Sequence, residues 1–414
     1  MSQADDKKPM LANLVNAGDQ QTEAIALNDF VYQVNDISNV YLVTTSDGDV
    51  MINTGFMANG ERNKSLLDPV RTGALKAIIL TQSHADHYGC VPAFQEEGTK
   101  IIAGKGFFDT WKFFDTLGPY LKERSAKLWK STIKGRDLPV PKVIPDVEVE
   151  SPYRFDIGNR TFEVIPAPGG EAPDGVVVWL PTEKIVFTGN LFGPVFMAMP
   201  NLCTMRGDKP RSAALWLKNL SEVRDLGAEL LITGHGEPIV GADKIRSDLD
   251  RMHGAVSYIH DKTVEGMNAG KDVYTLMTEI KLPEELQIGE FHGKVSWAVR
   301  TIWEEYSGWF HMESTTSLYA VPRSSINTDL MELAGSADAI AERAQSKVDE
   351  GKPLEAIHLV DISLGAEPQH VPSLKAKKAA LQQLLKACGG SNLSETMWLK
   401  TEISACEAGL GEQA

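Results

Sequence analysis

The stretch Ala77-Ile78-Ile79-Leu80-Thr81-Gln82-Ser83-His84-Ala85-Asp86-His87 decides how this chain is read. Ala77 to Leu80 is a continuous apolar run and predicts a short buried strand. Just past its end come two histidines and an aspartate, the residue types that ligate metal. Such ligands must converge, and strand-end loops along one edge of a sheet do this well. Two further loops carry suitable donors, Pro166-Ala167-Pro168-Gly169-Gly170-Glu171-Ala172-Pro173 and Thr233-Gly234-His235-Gly236-Glu237-Pro238. Between them lies another strand end, Thr188-Gly189-Asn190. Imidazole and carboxylate together suit zinc, manganese or iron. Cys90, shortly after His87, reads as a small buried residue.

Short β-type runs precede this stretch: Phe30 to Val34, Val40 to Thr44 and Val50 to Asn53, with Ser46-Asp47-Gly48-Asp49 as a hairpin turn. Glu61 to Asp68 predicts a short helix stopping at Pro69. Val91 to Glu97 begins another, with Pro92 tolerated in its first turn. Phe162 to Ile165, Val176 to Leu180, Ile185 to Thr188 and Leu230 to Thr233 predict strands, and Leu215 to Leu226 a helix. The alternation indicates a layered α/β domain over residues 21–245, after a flexible lead-in at 1–20. Beyond it the strand signals fade. Asp248 to Met267, Ser296 to Trp309, Ser336 to Leu364 (broken near Gly351) and Pro372 to Ala387 have helical periodicity. An all-helical module over residues 246–410 is expected.

A chain of 414 residues suffices for two or three domains. With 43% hydrophobic and 23% charged residues it has the balance of a soluble globular protein. A net charge of -15 argues against a general nucleic-acid surface. It leaves room for an anionic substrate, because a metal and one arginine dominate a local site. No apolar run reaches membrane-spanning length. Met1 to Lys8 is polar and lacks a signal-peptide core. The expected address is cytoplasmic, with no membrane partner. Cys90, Cys203, Cys388 and Cys406 form no CxxC pair and read as reduced, mostly buried thiols.

Four more segments carry a family likeness. Gly169-Gly170-Glu171-Ala172-Pro173 is similar to Gly-Thr-Glu-Ala-Pro, and Asn201-Leu202-Cys203-Thr204-Met205-Arg206-Gly207 to Asn-Leu-Tyr-Thr-x-Arg-Gly. His292-Gly293-Lys294-Val295-Ser296 is similar to Tyr-Gly-Thr-Val-Ser, and Tyr306-Ser307-Gly308-Trp309-Phe310 to Tyr-x-Gly-Trp-Phe. With the His84 to His87 signature, the chain resembles the alkylsulfatase-like branch of the metallo-β-lactamase superfamily over roughly residues 25 to 400. The resemblance implies an α/β class fold, an αββα sandwich followed by an all-helical dimerisation domain, and hence a homodimer. It does not extend to the branch's C-terminal lipid-carrier-like domain. The chain therefore reads as a divergent member lacking that domain, with a smaller or aromatic ester expected over a detergent-type one.

The resemblance implies two zinc positions. The first maps to Gln82, His84 and Glu171, the second to Asp86, His87 and His235, and a bridging carboxylate maps to Asn190. Here Gln82 stands for a histidine, Asn190 for the bridging carboxylate, and Asn53 for an aspartate that supports the site from behind. A neutral amide oxygen is a weaker zinc ligand than imidazole or carboxylate. Losing an outer carboxylate weakens a metal site about ten- to a hundredfold. The second position keeps all three terminal ligands. The expected cofactor is one or two zinc ions, manganese or iron being alternatives, at a mononuclear or asymmetric site centred on Asp86, His87 and His235. The rival arrangement is dinuclear, with Gln82 and Asn190 coordinating through their amide oxygens.

Such a centre generates hydroxide from water at neutral pH. The expected function is a metallohydrolase cleaving a sulfate ester or related ester, its small-molecule substrate anionic. Asp86, Glu171 and Arg206 are the expected catalytic residues. Arg206, matched to the Arg-Gly motif, has the planar fork that grips sulfate or phosphate. Asp208 is a candidate to orient Arg206 or act as an acid. Lys209, Asp174 and Tyr88 are placed near loops that should face the site, a solvated loop residue being the alternative reading of each, and His292 and His311 read as packed or surface histidines. The alternatives are another bond (phosphoester, lactone, β-lactam, or a lyase reaction) and a non-catalytic dimeric binding protein.

Overall fold

The computed structural model describes residues 10–129 and 138–411. Its centre is two facing β-sheets. The first runs in the order β1 (Ile25–Ala26), β2 (Val31–Val34), β3 (Val40–Thr45), β4 (Gly48–Ile52), β5 (Leu75–Leu80), β6 (Lys100–Gly104), β7 (Val147–Val149). The second runs β13 (Ile239–Val240), β12 (Leu230–Thr233), β11 (Ile185–Gly189), β10 (Val176–Leu180), β9 (Arg160–Pro166), β8 (Tyr153–Ile157). Both are mixed: β4 to β7 are mutually parallel, as are β11 and β12, and the other pairs are antiparallel.

Strand periodicity sorts the residues into three apolar layers. Ile52, Ile79 and Ile102 of the first sheet meet Val164, Val178 and Phe187 of the second between the sheets. Their neighbours Met51, Ile78 and Ile101 face outward and are covered by Leu67, Tyr88, Phe94 and Phe107. On the far side Val177, Val186 and Leu231 are covered by Trp216 and Leu220 of helix Ala213–Asp225. Apolar burial on both faces explains why these strands read as continuous runs.

Helices Ala242–Asn268 and Val295–Ser307 belong to that same outer layer, through Leu249, Met252, Ile259, Val299 and Ile302. By packing, one compact unit holds residues 10–125 and 138–306, and a second holds 126–129 and 307–411. This division lies inside the stretch read from sequence as one helical module. The second unit contains helices Ala337–Asp349, Pro353–Ala366, Val371–Cys388 and Leu393–Gly409. Its core uses small residues, Ala344, Ala356, Ala376 and Ala380, which let the helices approach closely. The break near Gly351 is present, and Gly351 takes a positive φ of 72°.

Of the expected lead-in, residues 1–9 lie outside the described residues. The rest carries helix Met10–Leu14, with Leu11 and Val15 buried against the fold. Among the described residues no helix is long and apolar enough to cross a membrane. Cys90 and Cys406 are buried and Cys203 is exposed, so burial is less general among the thiols than expected.

Candidate metal centre

Loops that leave the strand ends are tied directly to one another. Gly234 N–H donates to Gly189 O at 2.8 Å, joining the exits of β12 and β11. Val176 N–H donates to Thr81 O at 2.9 Å, and Asn39 N–H to Gly234 O at 2.7 Å, linking the two sheets. The approach is close enough to demand glycine. A Cβ on Gly234 would lie 2.1 Å from Asn190 Oδ1, and one on Gly189 2.5 Å from Thr81 Oγ1.

Asp86, His87 and His235 meet here. Each offers a ligand atom, and these atoms lie within 4.8 Å of one another. The surroundings of His87 are hydroxyls. Thr81 Oγ1 donates to Asn53 Oδ1 at 3.0 Å and so accepts from His87 Nδ1, 3.2 Å away. Asn53 is fixed by a second donor, Thr81 N–H at 2.9 Å, and its φ of 57° turns the chain out of β4. Protonation at Nδ1 leaves the Nε2 lone pair of His87 free to ligate. Burial, with the charge of His84, pushes the His87 pKa down to about 3. Burial likewise pushes His235 down to about 4. Both are neutral imidazoles at ordinary pH, the form that binds metal. His235 Nδ1 is buried with no hydrogen-bond partner. An ordered buried donor set of this chemistry fits a divalent cation.

The neighbouring group is built differently. His84 Nδ1 lies 2.9 Å from Gln82 Nε2 and 3.6 Å from Glu171 Oε2. Its Nε2 lies 3.4 Å from Asp208 Oδ2 and 3.5 Å from Arg206 Nη2. Burial disfavours the imidazolium, but Asp208 and Glu171 outweigh it and push the pKa up to about 9. Glu171 Oε1 faces His292 Nε2 at 3.3 Å and Arg211 Nη1 at 3.9 Å, while Oε2 accepts from Asn190 Nδ2 at 2.8 Å. Against the effect of burial, His292, His84 and Arg211 hold Glu171 well below the usual carboxylate range. Asp208 is 3% exposed and pairs with Arg211 at 3.4 Å and Arg206 at 3.7 Å. Burial works against its charge, yet His84, Arg211 and Arg206 bring its pKa down to about 2.

Residues 34–235 match the metallo-β-lactamase superfamily, and residues 274–399 match the alkyl sulfatase dimerisation family. The chain joins a metallo-β-lactamase domain to an alkyl sulfatase dimerisation domain. A linear primary-alkylsulfatase of Pseudomonas sp. (strain ATCC 19151) is 27% identical over 72% of this chain and 61% of its own length. The alkyl/aryl-sulfatase BDS1 of Saccharomyces cerevisiae is 25% identical over 86% of this chain and 60% of its own. The chain thus spans about three-fifths of these relatives. The solved structure of the inverting sec-alkylsulfatase Pisa1 of Pseudomonas sp. shares the fold, with a TM-score of 0.82 at 22% identity, covering 99% of this chain and 70% of that one.

Within this metallo-β-lactamase domain all the residues singled out from sequence are accounted for. Gln82, His84, Asp86, His87, Glu171, Asn190, Arg206 and His235 lie in one connected neighbourhood. Asp208 contacts both Arg206 and His84, so it does more than orient the arginine. His292, read as packed, is buried and gains a partner, while the solvated reading of Asp174 and Tyr88 needs correction. His292 is a direct partner of Glu171, with Asn201 Nδ2 at 3.3 Å on the same ring nitrogen. Asp174 is buried and accepts from Ser83 Oγ at 2.8 Å, tying the Glu171 loop to the His84 loop. Tyr88 is packed against Phe107. Sequence reasoning missed Arg211, whose guanidinium also donates to Asn201 O. Lys209 is exposed over the Phe113 ring, and His311 pairs with Glu313 at 3.7 Å in the second unit.

Proposed function

We propose that this chain is a metal-dependent hydrolase of a small anionic ester, a sulfate ester first among them, working as a homodimer with zinc as its metal. The carrying observation is the convergence of Asp86, His87 and His235, two of them held neutral, beside the paired charges of Arg206, Arg211, Glu171 and Asp208. The kinship with alkylsulfatases supports the choice of ester, and the dimerisation domain supports the homodimer.

A bound zinc ion supplies a water whose pKa is lowered to about 7. The chain's own residues do the rest. Arg206, 31% exposed, is the cation able to reach a substrate while still held by Asp208. Its forked N–H groups suit two oxygens of a sulfate monoester. Arg211, 7% exposed, is committed to Asp208, Glu171 and Asn201 O and acts by positioning. Asp86, 24% exposed, faces His87 and the open side of the centre.

The test is hydrolysis of matched sulfate, phosphate and carboxylate esters of one short alcohol by zinc-loaded protein. Sulfate release above the others, lost on chelation, is expected. Chelation-insensitive turnover, or none on any ester, would defeat the reading. Light scattering at micromolar concentration should give twice the chain mass.

A further inference from the structure

The two halves of the centre differ in how far their donor atoms are engaged: His235 gives only Nε2 to Asn190 and keeps Nδ1 without a hydrogen-bond partner. His84 has both ring nitrogens turned to carboxylate acceptors, Nδ1 to Glu171 and Nε2 to Asp208. Glu171 has both oxygens engaged, Oε1 by His292 and Arg211 and Oε2 by Asn190. The orientation of Asn190 follows from its neighbours. A carboxylate oxygen at 2.8 Å requires a donor, so the amide N–H₂ must face Glu171. It also reaches His235 Nε2 at 3.1 Å, while Oδ1 is buried against Gly234 without a hydrogen-bond partner. Asn190 thus presents hydrogens where a bridging ligand would present oxygen. The carboxylates of Glu171 and Asp208 are also matched by the guanidinium groups of Arg206 and Arg211. A second dication there would displace these contacts and meet two fixed cations at close range. Among the described residues, Asp86, His87 and His235 form the group whose ligand atoms converge.

We infer that the chain holds one tightly bound divalent ion, at Asp86, His87 and His235, and that direct contacts among Gln82, His84, Glu171, Asn190 and Asp208 have taken over the adjacent position. The site is one-metal by construction: side-chain hydrogen bonds do there what a second ion would do. This rests on the metal-dependent reading above, but it is decided by counting ions and not by turnover.

The experiment titrates the full chain with zinc under equilibrium dialysis and with manganese under electron paramagnetic resonance. One tight ion per chain and an uncoupled six-line manganese signal are expected. Two tight ions, or an exchange-coupled manganese pair, would overturn the inference while leaving the hydrolase reading intact. No tight ion would overturn both. His235→Ala should weaken the ion by more than about a hundredfold, beyond the loss typical of outer partners. His84→Asn should change its affinity less than about threefold, and a loss matching that of His235→Ala would refute the assignment. The double variant Gln82→His with Asn190→Asp restores an imidazole and a bridging carboxylate, and should raise the count from one to two.

Discussion

His84 and His87 share one loop and are both buried, yet their basicities are driven in opposite directions, up to about 9 and down to about 3. Burial is the same for each and disfavours charge in both. The difference is the company. His84 stands between Glu171 and Asp208, whereas His87 stands among the hydroxyls of Ser38 and Thr81. One half of the centre is a network of opposite charges in direct contact with one another. The other holds neutral imidazoles in fixed orientation beside one carboxylate. On the one-ion proposal, a metal-binding motif is not a metal site in all its parts. Its chemistry is set by what each ligand already touches.

The largest effect expected from this contrast is on turnover. His87→Ala and His235→Ala should each lower kcat/KM at least about a thousandfold, roughly 4 kcal/mol of transition-state stabilisation. His84→Asn should cost about tenfold, because it disturbs the charge network without removing a ligand of the converging triad. Steady-state kinetics on one sulfate ester compares them directly. Equal losses would erase the distinction between the halves.

A second effect separates the halves by pH. Asp208 has its pKa lowered from 3.8 to about 2, which corresponds to about 2 kcal/mol of folding stability. A lowered carboxylate stabilises the fold above its ordinary pKa, and the contribution is lost as pH falls through the folded value. Asp208→Asn should therefore destabilise the chain by about 2 kcal/mol at pH 5, and by less at pH 3. Urea unfolding at both pH values measures this. A gap that is unchanged between them would mean that His84 and the arginines do not hold Asp208 in its charged form.

How much of this was readable in the chain depends on distance along it. The run Ala77 to Leu80 and the ligands just after it are local, so periodicity and residue type suffice. Ile78 and Ile79 face different layers, but a strand apolar on both faces still reads as a strand. Glu171, Asn190 and His235 are far apart and were reached through their motifs. Arg211 and the role of His292 were not reached, because each acquires meaning only from contacts with Glu171, Asp208 and Asn201 that no spacing encodes. The match of His292 to a tyrosine of the family motif was the available signal. Which surface the helices after residue 242 cover was not readable for the same reason. Leu249, Met252, Val256 and Ile259 mark an apolar stripe, but a stripe does not say which surface it covers.

The smallest predicted effect tests the half with the neutral imidazoles most closely. Asn53 stands where the family resemblance implies an aspartate, yet its Oδ1 still accepts from Thr81 N–H and Thr81 Oγ1–H. The hydroxyl is thereby forced to accept from His87 Nδ1, which fixes the ring's tautomer and aims Nε2 at the centre. Thr81→Val keeps the shape and the backbone bond and removes only this relay. Ser38 Oγ, 3.2 Å from the His87 ring nitrogens, gives its own proton to Gly234 O and can partly replace the lost acceptor. The expected outcome is a zinc affinity about tenfold weaker, the lower end of the range for outer partners, with little loss of fold stability. Competition against a chelator of known affinity measures it. An unchanged affinity would mean that Ser38 alone orients His87. A hundredfold loss would mean that an amide serves in this relay as fully as the carboxylate it replaces.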